Sequence, residues 1–227
     1  MRSVDAIIPA LNEVATIGGV VQRLYQHGIR KVWVVDNGSL DETSSRAADA
    51  GANVIYEPKQ GYGAACLAGL GALSDDPPEW VLFCDADGSD DPDGIAHLLS
   101  FKESEYGALL THRAPHLNER GALTFPQRFG NRLACFLIDQ IHGVRFQDLG
   151  PLRMLRYDCL TQLNMRDTDF GWTVEMQLKL AKTHVKWMEL DVKARRRRGG
   201  KSKISGTVKG TVLAGYVIIK TIVRDGR

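Results

Sequence analysis

The alternation of apolar segments along residues 4–101 limits this chain more than any other feature. Val4–Ile8 is apolar and β-branched and stops at Pro9. Val14–His27 then carries Ile17, Val20, Val21 and Leu24 at helical spacing and ends near Gly28. The pattern repeats with a strand at Val32–Val35, a helix capped by Ser39 or Asp41 and running to Ala50, and a strand at Val54–Tyr56. A Gly/Ala-rich helix at Gly61–Leu73, a strand at Trp80–Cys84 and a helix opened by Pro92 and reaching Phe101 complete the series. Strands separated by helices with short joins cross over between parallel neighbours. The expected fold is therefore α/β, a doubly wound and mainly parallel sheet flanked by helices. Such sheets bind ligands beyond the carboxyl ends of their strands.

The second half is less regular. It reads as a short strand at Ala108–Thr111, a helix at Arg128–His142, an extended stretch at Gln147–Arg156, a helix at Gly171–Lys182 and a strand at Val185–Val192. Ser205–Val223 is a terminal helix with Val208, Val212, Gly215, Ile219 and Ile222 down one side. With 227 residues, 44% of them hydrophobic, the chain fills one core, so 1–227 is expected as a single domain. Within it we distinguish a first half (about 1–105), a second half (about 106–204) and an amphipathic terminal helix (205–224).

Charge and cysteine usage narrow the classes. Cys66, Cys84, Cys135 and Cys159 form no C-x-x-C pair, which argues for reduced thiols and against structural zinc. Met1 leads directly into a strand, with no signal peptide expected, and the apolar run Val212–Ile219 is far short of the ~20 residues of a membrane span. A cytoplasmic protein follows. The net charge is +2, yet residues 193–227 hold eleven Lys/Arg against the single acid Asp225. A basic end on an acidic body is expected to meet an anion such as a diphosphate, a lipid phosphate or a membrane surface. Nucleic acid is disfavoured, because Arg195–Arg198 has neither an aromatic platform nor a reading helix beside it.

Every polar cluster falls at a strand's carboxyl end. After the fourth strand, Asp85-Ala86-Asp87 places two carboxylates where they can converge on Mg²⁺ or Mn²⁺, hard ions that share oxygen ligands with substrate phosphates. After the first strand comes Pro9-Ala10-Leu11-Asn12-Glu13, and after the second Asp36-Asn37-Gly38-Ser39. The backbone near Pro9 and Leu11, with Glu13 and Asp36, offers acceptors to a base and ribose; a helix start and a plain turn are the competing readings. Gly61-Tyr62-Gly63-Ala64-Ala65 opens a helix, where free N–H groups can face an anion or small residues can allow close packing. It lacks both the G-x-G-x-x-G spacing and the P-loop lysine. A nucleotidyltransferase would show a G-x-G-T-R-type loop after strand one, which Pro9–Glu13 does not resemble.

As an ordered set these motifs resemble family-2 glycosyltransferases of the GT-A fold, especially the branch of dolichyl- and polyprenyl-phosphate sugar synthases. The likeness covers nearly the whole chain. It rests on Pro9–Glu13, Asp36–Ser39 with Asp41, Gly61–Ala65, Asp85–Gly88 and Asp91-Pro92, then on Asp148–Arg153, Gly171–Glu175 and Gly200–Lys203. It implies an inverting transfer from a UDP- or GDP-sugar. The donor would be held by Pro9, Leu11, Glu13, Asp36, Asp85, Ala86 and Asp87, and the metal by Asp85 and Asp87 with help from Ser89. Arg197 and Lys203 correspond to the basic loop that closes on the diphosphate, Arg113 to a basic residue after the fifth strand, and Arg128 with Arg132 to an acceptor-phosphate site. The chain departs from the pattern at Leu11, where an aromatic is frequent, at Asn37, where a second Asp is frequent, and at Thr111-His112-Arg113, where G-S-R is common.

The acceptor is read from what is missing. A sugar hydroxyl needs a general base, and Asp167, Asp169 and Glu175 do not form the E-D pair frequent in hydroxyl-using relatives. A phosphate monoester, with a second pKa of roughly 6, is already a nucleophile near neutrality. The expectation is a polyprenyl or dolichyl phosphate acceptor, with a soluble or glycan hydroxyl as the alternative and a non-catalytic nucleotide-sugar-binding protein further behind. The terminal helix is left with three roles: peripheral membrane contact, packing on the domain, or pairing in a homodimer.

Overall fold

The computed structural model describes residues 2–101, 105–199 and 208–224, the last segment with side chains from 215 to 223. Seven strands form one sheet: β1 (Val4–Ala10), β2 (Lys31–Asp36), β3 (Asn53–Tyr56), β4 (Trp80–Phe83), β5 (Tyr106–Arg113), β6 (Arg153–Arg156) and β7 (Lys186–Val192). Their order is β3-β2-β1-β4-β6-β5-β7. Only β6 runs antiparallel, wedged between β4 and β5, while β7 pairs parallel with β5. The remaining strands therefore end on one rim, at Ala10, Asp36, Tyr56, Phe83, Arg113 and Val192, and β6 starts there at Arg153.

The alternating segments become α1 (Ile17–Gln26), α2 (Thr43–Asp49), α3 (Tyr62–Gly71) and α4 (Pro92–Ser100), each within a few residues of its expected span. In the second half follow α5 (Phe125–His142), α6 (Tyr157–Gln162), α7 (Trp172–Ala181) and α8 (Val208–Arg224). Helix α5 begins earlier than its apolar spacing implies because Thr124 and Gln127 form a reciprocal capping box and Pro126 stands in the first turn. Most of the extended Gln147–Arg156 stretch is loop, and α6 was not expected.

Two cores flank the sheet, since successive strand side chains point to opposite faces. Ala6, Ile8, Val32, Val34 and Leu82 face α1 and α4, where Val21, Leu24 and Leu98 are buried. Ile7, Val35, Val81 and Phe83 face α3 and α7, with Ala65, Trp172 and Leu178. Complete burial of a side chain such as Ile7 contributes roughly 1.5–3 kcal/mol. Gly69 lets α3 lie against this face, as a Cβ there would stand 2.6 Å from Ile7 Cγ2. Helix α8 packs on α5 and α7, and His142 Nε2 contacts the Ile222 carbonyl at 3.0 Å. Among the described residues no helix is long and apolar enough to cross a membrane.

Candidate active site

A cleft of about 1040 Å³ opens at the common rim, lined by segments that follow β1, β2, β3, β4 and β7, by the end of β5 and by the approach to β6. The topology dictates this, because loops leaving parallel strands gather at one edge.

The turn after β4 is folded on its own carboxylates. The Asp85 N–H donates to Asp90 Oδ2 (2.7 Å) and the Ser89 N–H to Asp87 Oδ1 (2.9 Å), with Gly88 at φ +71°. Burial, reinforced by Asp90 and Asp87, pushes the Asp85 carboxyl well above the usual range. Burial likewise pushes Asp90 up to about 7, with Asp87 adding to the rise. Such a cluster is short of positive charge.

The segment after β7 lies along this turn. Arg195 N–H donates to the Ser89 carbonyl and Arg198 N–H to the Asp87 carbonyl, both at 3.2 Å. Arg197 donates from Nε to the Gly199 carbonyl (2.7 Å), bonds Glu13 Oε1 through Nη2, and brings Nη1 to 3.4 Å from Asp87 Oδ2. Glu13 is itself buried, and its N–H donates to Thr43 Oγ1 (2.8 Å).

Arg113, also in the cleft lining, grips Asp148 in a fork, Nε to Oδ2 and Nη2 to Oδ1, both at 2.7 Å. Burial raises the Asp148 carboxyl, but the Arg113 hydrogen bonds outweigh it and hold the group below the ordinary carboxylate range. Much of the Arg113 charge is thereby committed to a neighbour. Asp169 and Phe170 also line the cleft, and burial, with a smaller push from Asp167, raises the Asp169 carboxyl.

Of the residues singled out from sequence, the cleft gathers Leu11, Glu13, Asp85, Ala86, Asp87, Ser89, Arg113 and Arg197. Pro9 and Asp36 do not line it. Pro9 pairs with Val35 inside the sheet, and Asp36 is buried while accepting from Ser39 N–H (2.8 Å) and the Ser44 hydroxyl. Arg128 and Arg132 stand exposed on α5 outside the cleft, which α5 reaches only through Thr124 and Gln127 at its start. Lys203 lies outside the described residues, as does the rest of Gly200–Lys203.

The ambiguous Gly61–Ala65 motif resolves into packing. A Cβ on Gly61 would lie 2.1 Å from the Thr168 carbonyl oxygen and one on Gly63 2.1 Å from that of Asp167, while Ala64 N–H donates to Thr168 (2.9 Å). The start of α3 is thus a docking edge for the 167–169 loop. Glu175 is buried and accepts from the N–H groups of Arg166 and Asp167 and from Lys179, so it stiffens that loop from behind. Sequence reasoning missed the part played by Asn37. Its Nδ2 donates to the carbonyls of Glu57 (3.0 Å) and Lys59 (2.8 Å), and its Oδ1 accepts from Gly61 N–H (2.7 Å).

Among the described residues no group of three or more His, Cys, Asp or Glu could by itself hold a metal ion. Asp85 and Asp87 nonetheless fit a hard divalent cation that takes its other ligands from substrate phosphate and water, as Mg²⁺ characteristically does. The raised Asp85 and Asp90 carboxyls, and the arginine already drawn onto Asp87, mark where positive charge is wanted.

Known proteins share this fold and family. The sequence model for the family described as "Glycosyl transferase family 2" matches residues 5–161. An uncharacterized glycosyltransferase of Mycobacterium tuberculosis is 34% identical over 215 residues, 93% of this chain and 94% of the relative. Glycosyltransferase AglJ of Haloferax volcanii is 29% identical over 185 residues, 81% of this chain and 60% of AglJ. Among solved structures, glucosyl-3-phosphoglycerate synthase from Mycobacterium tuberculosis, in complex with Mn²⁺, UDP-glucose and phosphoglyceric acid, superposes with a TM-score of 0.79. It covers 99% of this chain and 80% of its own at 20% identity.

Proposed function

The chain belongs to glycosyl transferase family 2 and is a glycosyltransferase of the GT-A fold, and on that premise we propose that it moves a sugar from a UDP- or GDP-sugar to a polyprenyl or dolichyl phosphate. The observation that carries the reading is the rim cleft, with the Asp85–Asp90 carboxylates facing Arg197 and the segment after β7.

In this reading the whole chain is one catalytic unit, with the donor on residues of the first half and the acceptor approached from the second. Leu11, Glu13 and Ala86 receive the nucleoside; Asp36 and Pro9 act from beneath by fixing the two strand ends. Asp85 and Asp87, assisted by Ser89, would hold Mg²⁺ or Mn²⁺. A bound cation supplies charge neutralisation for the departing diphosphate. Arg113 and Arg197 would add positive charge around the same oxygens, the role the sequence resemblance also gives Lys203. The sugar then passes to the acceptor with inversion, in one displacement. A phosphate acceptor requires no base, and Arg128 with Arg132 lie on the helix whose first turn borders the cleft.

A second reading has an observation of its own. Asp169 lines the cleft with a raised carboxyl, as a general base toward a hydroxyl would. The solved relative bound to phosphoglyceric acid makes a small phosphorylated acid the acceptor class to test beside the lipid.

The deciding experiment is product analysis with a panel of UDP- and GDP-sugars and Mn²⁺, offered either a detergent-solubilised polyprenyl phosphate or phosphoglyceric acid. Asp87→Ala is expected to abolish metal-dependent turnover while leaving the circular dichroism spectrum unchanged; full activity in that variant would overturn the site. Asp169→Asn is expected to leave transfer to the lipid phosphate nearly intact. A loss of ~10²-fold or more would favour the hydroxyl reading.

A further inference from the structure

Helix α5 turns an apolar stripe toward solvent. Phe125, Phe129 and Phe136 are 71%, 59% and 57% exposed, and Leu133 lies between them. Spacings of four, four and three place these side chains on one face of the helix. The rings of Phe125 and Phe129 stack with centroids 6.3 Å apart. Helix α8 packs beside α5 and carries exposed apolar residues of its own, Tyr216, Ile219 and Val223. Among the described side chains, the exposed charged ones on these helices are cationic, namely Arg128, Arg132 and Lys220. The one acid of α5, Asp139, is half-buried and paired with Arg145 at 3.2 Å.

From this arrangement we propose that the α5–α8 face seats the protein on an anionic bilayer. The phenylalanines and Tyr216 enter the interface, while Arg128, Arg132 and Lys220 meet headgroup phosphates. Charge selects this occupant. A second copy docked through the same face would set these cations against their own equivalents, with no exposed acid on α5 to answer them. Position supports it as well, because Thr124 and Gln127 at the start of α5 line the cleft. A bilayer on this face brings the cleft mouth to headgroup depth. The inference deepens the lipid-phosphate reading and rests on it for its purpose, but not for its test.

The test uses the full chain without donor or acceptor, sedimented with mixed phosphatidylcholine–phosphatidylglycerol vesicles and with pure phosphatidylcholine vesicles. Binding is expected to the anionic vesicles, to weaken with added salt, and to fall by at least about tenfold in a Phe129→Asp/Phe136→Asp double variant with an unchanged far-UV spectrum. Both side chains are exposed, so the fold tolerates the change. Three results would overturn it: no sedimentation with anionic vesicles, equal binding to both vesicle types at all salt concentrations, or full binding by the double variant. Concentration-dependent dimerisation that the double variant abolishes, without vesicle binding, would assign the face to a second copy. Transfer to detergent-solubilised polyprenyl phosphate is measured separately, so the docking face and the acceptor reading can fail independently.

Discussion

Arg197 joins two carboxylates from different strand ends, bonding Glu13 after β1 through Nη2 and approaching Asp87 after β4 through Nη1 at 3.4 Å. Its guanidinium thus sets positive charge against this acidic turn. In the function proposed above Asp87 would also hold a cation, so the guanidinium and the ion would compete for one carboxylate. On that proposal Arg197 would turn from Asp87 toward the donor diphosphate when the site is filled. Arg197→Ala is expected to tighten donor-free Mn²⁺ binding, followed by electron paramagnetic resonance titration, because a competing charge is gone. The same change is expected to lower kcat/KM for the donor by ~10²-fold, through loss of a donor to the diphosphate. Weaker Mn²⁺ binding in the variant would show that Arg197 supports the cation site rather than competing for it.

The carboxylate cluster predicts a pH dependence of stability. Burial and neighbouring carboxylates raise Asp85, and raise Asp90 to about 7, against an unfolded value of about 4. A carboxyl with a raised folded pKa favours the protonated native state. Its contribution is fully present below pH ~4 and is lost as the pH rises through ~7. In chelator, the melting temperature is expected to fall between pH ~5 and ~7.5, with Mn²⁺ restoring it at the upper end. Asp90→Asn can still accept from the Asp85 N–H, and it is expected to flatten the slope. A slope unchanged in that variant would place the titrating group elsewhere.

How much of this was legible in sequence depended on range. The strands and helices of residues 4–101 announced themselves because each buries a local periodic pattern, and the rim cleft followed from their alternation. The insertion of β6 between β4 and β5 was not readable, since Arg153–Arg156 carries no mark of direction or partner. Asp85 and Asp87, singled out by position alone, do line the cleft. Asp36 was assigned to the donor because it ends a strand, yet its oxygens are taken by Ser39 and Ser44, one of them eight residues on. The choice for Gly61–Gly63 between anion cradle and packing turned on Asp167 and Thr168, more than a hundred residues away. No local pattern encodes that contact.

At Asn37 the structure gives an amide, rather than a carboxylate, a task of its own. Its Nδ2 gives two hydrogen bonds, to the carbonyls of Glu57 and Lys59, and the group is buried. Asn37→Asp would turn an acceptor oxygen toward two carbonyl oxygens. The expected cost is about 1–3 kcal/mol near neutrality, and less in acid, where a protonated carboxyl can donate to one of them. Urea unfolding at two pH values measures this. An equally stable variant at neutral pH would mean that the 57–61 loop does not depend on the amide.

Gly63→Ala tests whether the start of α3 positions the acceptor side of the cleft. The added Cβ would sit 2.1 Å from the Asp167 carbonyl oxygen, and that oxygen belongs to backbone rather than to a flexible side chain. The 167–169 loop, which leads into Asp169 and Phe170 on the cleft wall, must then move. A stability loss of about 1–3 kcal/mol is expected, as for other overpacked sites. Because Leu11, Glu13 and Asp87 lie on other loops, KM should rise for the acceptor more than for the donor. Gly71→Ala is the control: its Cβ meets nothing within 4 Å at the end of the same helix, so helix propensity should leave it neutral or more stable by up to about 1 kcal/mol. If Gly63→Ala matched Gly71→Ala in stability and in acceptor KM, the 167–169 loop would have no role in placing the acceptor.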